Sequence, residues 1–215
     1  MFCLLRFGSI KGKIFILDFL RFIIMKKYIY LFRHGTTTDN AAGKFSGFRD
    51  VSLNKRGFDD AKIVALRLKE KEFTVAFQSR LKRSKQTLKE VLKFHPECRV
   101  IMTDNRIIER DYGAVSGKTH YDYIKKNSPE KYDKFHRGYP TRPPKGESVK
   151  DVEKRIKPFI RDLLKLIKEK KINVAISAHG NSMRPLRRYF EKLSIKEMML
   201  IENPYDDVFI YEVKV

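Results

Sequence analysis

Two of the five histidines in this 215-residue chain stand directly before a glycine, His34 in "RHG" and His179 in "SAHGNS". Each follows a short apolar run. An imidazole at such a place can attack an electrophile or move a proton, and it can equally serve structurally by bonding a backbone carbonyl through one ring nitrogen. Arg33 and Arg83 offer planar forks of N–H donors, a geometry that suits phosphate oxygens. Gly180 and Asn181 sit where a helix begins, and free backbone N–H groups there attract anions. No paired Cys, His or carboxylate spacing accompanies the two histidines, so a metal site is not expected.

These side chains cooperate only if the chain brings them together. Tyr28 to Phe32, "FTVAFQS", "RVIMTD", "INVAISAHG" and "DVFIYEVKV" read as strands from their β-branched and aromatic content. Between them, Ala61, Val64, Ala65 and Leu68 fall at helical spacing, as do Leu81, Leu88, Val91 and Leu92. Ser148 and Asp151 form an S-x-x-D capping signal ahead of the clearest amphipathic helix, in which Pro158 is expected to make a kink. A last helix carries Pro185 in its first turn. From Ile107 to Glu147 the chain is rich in Gly, Pro, Tyr and charge and reads as a long irregular loop covering a site. The alternation predicts a three-layer α/β sandwich with a mostly parallel central sheet flanked by helices. Arg33, His34, Ser79, Arg80 and His179 then fall at strand ends, where the ligand crevice of such a sheet lies.

Composition narrows the partners. The formal net charge of +21 attracts polyanions of any kind, yet basic residues are spread along the whole chain without a recognition motif, so no nucleic-acid partner is expected. The same field helps to gather a small phosphorylated substrate. Cys3 and Cys98 form neither a disulfide framework nor a metal spacing, which fits a reducing cytoplasmic setting. The apolar run from Ile14 to Ile24 is broken by Asp18 and Arg21 and is too short to span a bilayer, so no membrane partner is expected. Residues 1–25 read as an extension outside the catalytic fold, with "MKKYIYLFRHG" reading like a natural start at Met25. Residues 26–215 are read as one catalytic domain, and its oligomeric state is open, with a homo-oligomer among the possibilities.

Six blocks occur in order: "RHGTTTDN", "FSGFRDVSLNKRG", "SRLKRSKQT", "IIERDYGAVSGK", "RGYPTRPPKGES" and "SAHGNSMR". Together they resemble the histidine phosphatase superfamily, and within it the cofactor-dependent phosphoglycerate mutase branch, from about Lys26 to Val215. The resemblance implies a phosphohistidine formed on His34, with Arg33, Arg83 and, if it is protonated, His179 stabilising the phosphoryl group. It gives Glu109 the acid/base role, for which burial beside the phosphate would raise its pKa. It also implies substrate contacts from Asn40, Ser46, Gly47, Arg110, Tyr112, Lys118, His136, Arg137, Gly180 and Asn181.

The activity so implied is interconversion of 3-phosphoglycerate and 2-phosphoglycerate in glycolysis and gluconeogenesis, primed by 2,3-bisphosphoglycerate without metal. The alternative is a phosphatase acting on small phosphorylated metabolites, since members of the superfamily differ in whether water or a second substrate oxygen accepts the phosphoryl group. Three departures bear on the substrate. "FHRGYP" places His136 where the mutases carry the first of two arginines. "GKTH" displaces Lys118 and puts His120 in its place. The lid between Gly117 and Glu147 is shorter than in the commonest mutases.

Overall fold

Alternate residues of the buried strands point to opposite faces, and the two faces are apolar in different ways. In the computed structural model, which describes residues 25–215, the strands are β1 (Lys26–Arg33), β2 (Val75–Gln78), β3 (Val100–Thr103), β4 (Val174–Ala178) and β5 (Val208–Lys214). The expectation for the N-terminal extension lies outside the described residues, Met25 apart. The helices are α1 (Thr38–Ala41), α2 (Lys55–Leu68), α3 (Lys82–Val91), α4 (His120–Lys126), α5 (Pro129–His136), α6 (Val149–Lys170), α7 (Gly180–Glu191) and α8 (Ile195–Leu200).

Ile29, Leu31, Val75, Phe77, Val174 and Ile176 pack on one side against Val152, Ile156, Phe159, Ile160 and Leu163 of α6 and Met183 and Leu186 of α7. Tyr30, Phe32, Ala76 and Ala175 pack on the other against Val64, Ala65 and Leu68 of α2 and Leu88 and Val91 of α3. The two apolar clusters with the sheet between them make the expected three layers. The sheet order is β3-β2-β4-β1-β5, with every pair parallel except β1 with β5.

Local chemistry sets the helix starts. Asn54 accepts from Gly57 N at 2.8 Å at the start of α2. Ser148 and Asp151 complete the expected capping box of α6. The helix continues through Pro158 from Val149 to Lys170, so the expected kink does not interrupt it. The stretch from Ile107 to Glu147 is more regular than its composition predicts, because it contains α4 and α5. Thr119 and Ser128 cap these two helices, and Pro129 occupies the first turn of α5. Phe45, Tyr112, Val115 and Phe135 make a small separate core beneath them. Among the described residues, no helix is long and apolar enough to cross a membrane.

Ile156 is fully buried between α6 and the sheet, whereas Leu66 on α2 is 62% exposed. Ile156→Ala is expected to lower the unfolding free energy by about 2–5 kcal/mol. Leu66→Ala should stay within about 0.5 kcal/mol of the parent. Urea denaturation of the two variants checks the assignment.

Candidate active site

Parallel register brings the two histidine motifs side by side. Arg33 lies opposite Ala178 at the ends of β1 and β4, and His34 N donates to Ala178 O at 3.1 Å. His34 and His179 therefore leave neighbouring strand ends together, with ring centroids 4.9 Å apart. β2 lies on the other side of β4, and just beyond its end Ser79 Oγ sits 2.7 Å from His179 Nε2.

The hydrogen bonds of His34 assign its protons. Nδ1 lies 2.8 Å from the Gly35 carbonyl, which can only accept, so Nδ1 carries the hydrogen. Nε2 receives the Nε–H of Arg83 at 3.3 Å, which can only donate, so Nε2 is the bare nitrogen. Burial, followed by the charges of Arg83 and Arg33, holds the His34 pKa well below its ordinary value of 6.5. His179 is likewise held well below 6.5 by burial, Arg83 and His34, and its Nδ1 is buried without a partner. Protonation of His179 is thus disfavoured in the unliganded protein. An arriving anion would reverse that balance.

The two arginines are fixed by backbone as much as by side chains. Arg83 is 1% exposed and donates to Arg49 O and Gly47 O, each at 2.8 Å. It thereby holds the Ser46–Gly47 turn, in which Gly47 has φ +51°, a conformation that favours glycine. Arg33 donates to Asn203 O at 2.9 Å and to Tyr205 Oη at 3.0 Å, and its guanidinium lies 3.8 Å over the Tyr205 ring. Its buried Nε has no partner.

Glu109 is held at one oxygen only. Its Oε1 accepts from Arg110 N at 2.8 Å and from Asn181 N at 3.1 Å, which leaves Oε2 for proton transfer. Arg155 of α6 supports it from behind, donating to Glu109 O at 2.8 Å and pairing with Glu147 at 3.0 Å. The glutamate is not tied to the Arg110 guanidinium by a salt bridge.

A cavity of about 260 Å³ opens beside Arg33 and Glu109, while His34, Arg83 and His179 are nearly fully buried and are not among its lining residues. Arg33, Asn40, Ser46, Gly47, Glu109, Tyr112, His136, Arg137, Gly180 and Asn181 are among the residues that line it. Two expected substrate contacts are elsewhere. Lys118 is exposed off the cavity wall. Arg110 is fully buried and off the cavity wall; its Nε and Nη2 donate to the carbonyls of Phe135, Thr141 and Glu147 and tie the lid to the core, while its buried Nη1 has no partner among the described residues. Its position one residue after Glu109 hides this from the sequence, because all three acceptors are distant backbone carbonyls, Phe135 in α5 and Thr141 and Glu147 in the irregular stretch after it.

The wall also contains Lys44, His120, Arg184, Glu202, Asn203 and Tyr205, which were not singled out as site residues. Arg184 had a signal: it lies four residues after Gly180 on the same helix, hence on the same face. Asn203 and Tyr205 come from the loop before β5 and carry none.

His34, Glu109 and His179 place potential ligand atoms within 4.8 Å of one another. With Arg83 Nε bonded to one of those atoms and Arg33 at the border, the local field favours an anion over a cation. Chemically, the arrangement joins an unprotonated ring nitrogen to fixed guanidinium donors and a carboxylate with one free oxygen. Such a set suits attack on a phosphate ester.

The chain matches the histidine phosphatase superfamily (branch 1) over residues 29–214. It is 33% identical to the 2,3-bisphosphoglycerate-dependent phosphoglycerate mutase of Mesorhizobium japonicum, across 83% of this chain and 88% of that protein. The fold is similar to that of mycobacterial glucosyl-3-phosphoglycerate phosphatase, with a TM-score of 0.70 and 23% identity across 81% of this chain and 84% of that one. It is also similar to phosphoglycerate mutase from Bacillus anthracis, with a TM-score of 0.72 and 23% identity across 88% of this chain and 89% of that one.

Two outcomes follow from the geometry. Tyr205→Phe removes one hydrogen bond to Arg33 and keeps the stacked ring, so kcat/KM should fall by about 10-fold, while Tyr205→Ala should lose more. Steady-state kinetics on a phosphate ester would show this gradation. Because the folded-state pKa values of His34 and His179 lie below 6.5, the unfolded chain binds more protons below that pH, and the unliganded protein loses stability as pH falls from about 6.5. The His34→Gln, His179→Gln double variant should show a shallower decline in urea midpoint between about pH 6.5 and 5.

Proposed function

This chain belongs to the histidine phosphatase superfamily, and from that membership we propose that it is a phosphoglycerate mutase interconverting 3-phosphoglycerate and 2-phosphoglycerate. One observation carries the reading beyond the superfamily. The cavity wall holds Lys44, Arg137 and Arg184 in addition to Arg33, more positive charge than a single phosphoryl group requires. A mutase must grip a carboxylate and a second phosphate while the phosphoryl group resides on the enzyme. The small cavity suits a three-carbon substrate.

In this reading the lone pair of His34 Nε2 attacks phosphorus, the N–P bond forms and the ester P–O bond breaks. Arg83 turns its Nε–H from the imidazole to a phosphoryl oxygen, and the Nδ1–H bond to Gly35 O stabilises the positive charge that develops on the ring. Arg33 Nε and His179 Nδ1, both without partners among the described residues, serve as further donors, His179 after taking a proton. Glu109 Oε2 protonates the departing alkoxide. In the second half, Glu109 accepts the proton of the incoming hydroxyl as its oxygen attacks phosphorus and the N–P bond breaks.

A bisphosphoglycerate primer would supply the first phosphoryl group, and the positive residues on both sides of the cavity fit its two phosphates. No metal is required in this reading, since the guanidinium groups supply the compensating charge. A cytoplasmic setting is part of the proposal, as is a small phosphorylated substrate as the only required partner. Nucleic acid, a membrane or a second copy of the chain is not needed for the chemistry.

The second reading is a phosphatase for small phosphorylated metabolites. It is favoured by His120 and His136, which stand uncharged on the lid wall where a mutase would be served by permanent cations. The two readings differ in product. Purified protein given 3-phosphoglycerate and the bisphosphate primer should form 2-phosphoglycerate and retain its activity in chelator. Phosphate release without isomerisation, with or without primer, would establish the phosphatase instead. His34→Ala should lower either activity by at least about 10³-fold and abolish phosphoenzyme labelling.

A further inference from the structure

Two histidines on the lid side of the cavity have no part in the phosphoryl-transfer steps. His120 opens α4 and His136 closes α5, and their ring centroids are 5.4 Å apart. Both border the cavity. Aromatic faces fix them: His136 stacks on Tyr132 at 4.9 Å and 13°, and His120 packs on Phe45 at 4.2 Å. His120 Nδ1 shares a hydrogen bond with Tyr132 Oη at 3.3 Å. His136 Nδ1 is buried with no hydrogen-bond partner among the described residues. A buried ring nitrogen left unpaired is costly, so a position held in this way calls for something to complete it.

The surroundings identify what that is. His136 faces Arg110 beneath the lid, Arg137 at the end of its own helix, Arg184 from α7, and His120. Lys44 stands on the cavity wall, and the carboxylates lining the same cavity are Glu109 and Glu202. The neighbouring phenol Tyr132 has its pKa raised by burial, so it is neutral at ordinary pH. Burial first, then the surrounding positive charge, holds the His136 pKa down to about 4, and burial lowers that of His120. An anion placed among these groups would offset both depressions by favouring the charged imidazoles.

We infer that His120 and His136 form a proton-coupled subsite for a second anionic group on the substrate, a carboxylate or a second phosphate. Binding of a phosphate ester with such a group carries protons from solvent onto the two imidazoles, which then donate hydrogen bonds to it. No covalent bond changes. The subsite would make affinity for the two-anion ester rise as pH falls, while an ester with only the phosphate lacks that added dependence. It rests on the reading that the cavity accepts a phosphorylated acid, and it serves transfer to water and transfer to a second oxygen equally.

The test compares 3-phosphoglycerate with glycerol 3-phosphate, which carries the same kind of phosphate ester without the carboxylate. The full chain with His34→Ala binds without turnover. Isothermal calorimetry at pH 7, in two buffers of different ionisation enthalpy, reads the protons taken up. We expect greater uptake with 3-phosphoglycerate, and a Kd for it that tightens relative to glycerol 3-phosphate by up to about 10-fold per pH unit for each extra proton. Adding His120→Gln and His136→Gln should abolish the excess.

Equal uptake for the two ligands, an excess that survives the double substitution, or no preference for the carboxylated ester at any pH would each overturn the inference. Should the double variant fail to fold, the two-ligand comparison in the His34→Ala protein alone still decides. Failure of the mutase reading is seen separately, in the product profile of the unsubstituted enzyme.

Discussion

Parallel pairing of β1 with β4 is the constraint on which the site depends. It sets Arg33 opposite Ala178, so two histidines that are distant in sequence leave the sheet one beside the other. β2 lies on the far side of β4 and contributes Ser79, which engages His179 Nε2. A one-residue slip of either strand would turn its alternating apolar residues to the wrong cluster, so the packing on both faces of the sheet protects the register of the histidines. Core stability and site geometry thus rest on the same pairing.

Within that frame the site concentrates positive charge around two neutral rings. Arg83 could not be buried at 1% exposure without acceptors, and it finds them in the carbonyls of the Gly47 turn. Those bonds fix the guanidinium and the turn together. The arrangement leaves His34 unprotonated and therefore nucleophilic, and it leaves Arg33 Nε and His179 Nδ1 without partners until an anion arrives. The same logic recurs in weaker form on the lid, where burial favours the neutral form of His120, and burial with nearby positive charge favours that of His136. Both regions have donors ready for negative charge, but only the first supplies a nucleophile.

The lid is joined to the core by Arg110, whose guanidinium reaches carbonyls of Phe135, Thr141 and Glu147, while Phe45 packs against Tyr112 and Phe135. Glu109 is positioned by the same segment and by Asn181 at the start of α7. Glu109, the lid and the start of α7 are consequently one connected unit. Displacement of any one of them would move the free oxygen of Glu109 relative to His34.

Much of this was legible in the linear chain. β-branched and aromatic runs marked the central strands, period-3.6 apolar patterns marked α2, α3 and α6, and Pro185 marked the start of α7, because each of these signals is local. The six ordered blocks marked His34, Arg83, Glu109 and His179 for the same reason, since each sits in a short stretch whose local chemistry is distinctive. The regular helices α4 and α5 escaped notice because charge and tyrosine obscure their periodicity, and caps at Thr119 and Ser128 decide where they begin. Tertiary structure alone decided that Arg110 belongs to the lid anchor and that Arg33 is steadied by Asn203, 170 residues away. Local sequence determines which residues can do chemistry. Which atoms remain free to do it depends on hydrogen bonds between distant segments, and those exist only once the chain has folded.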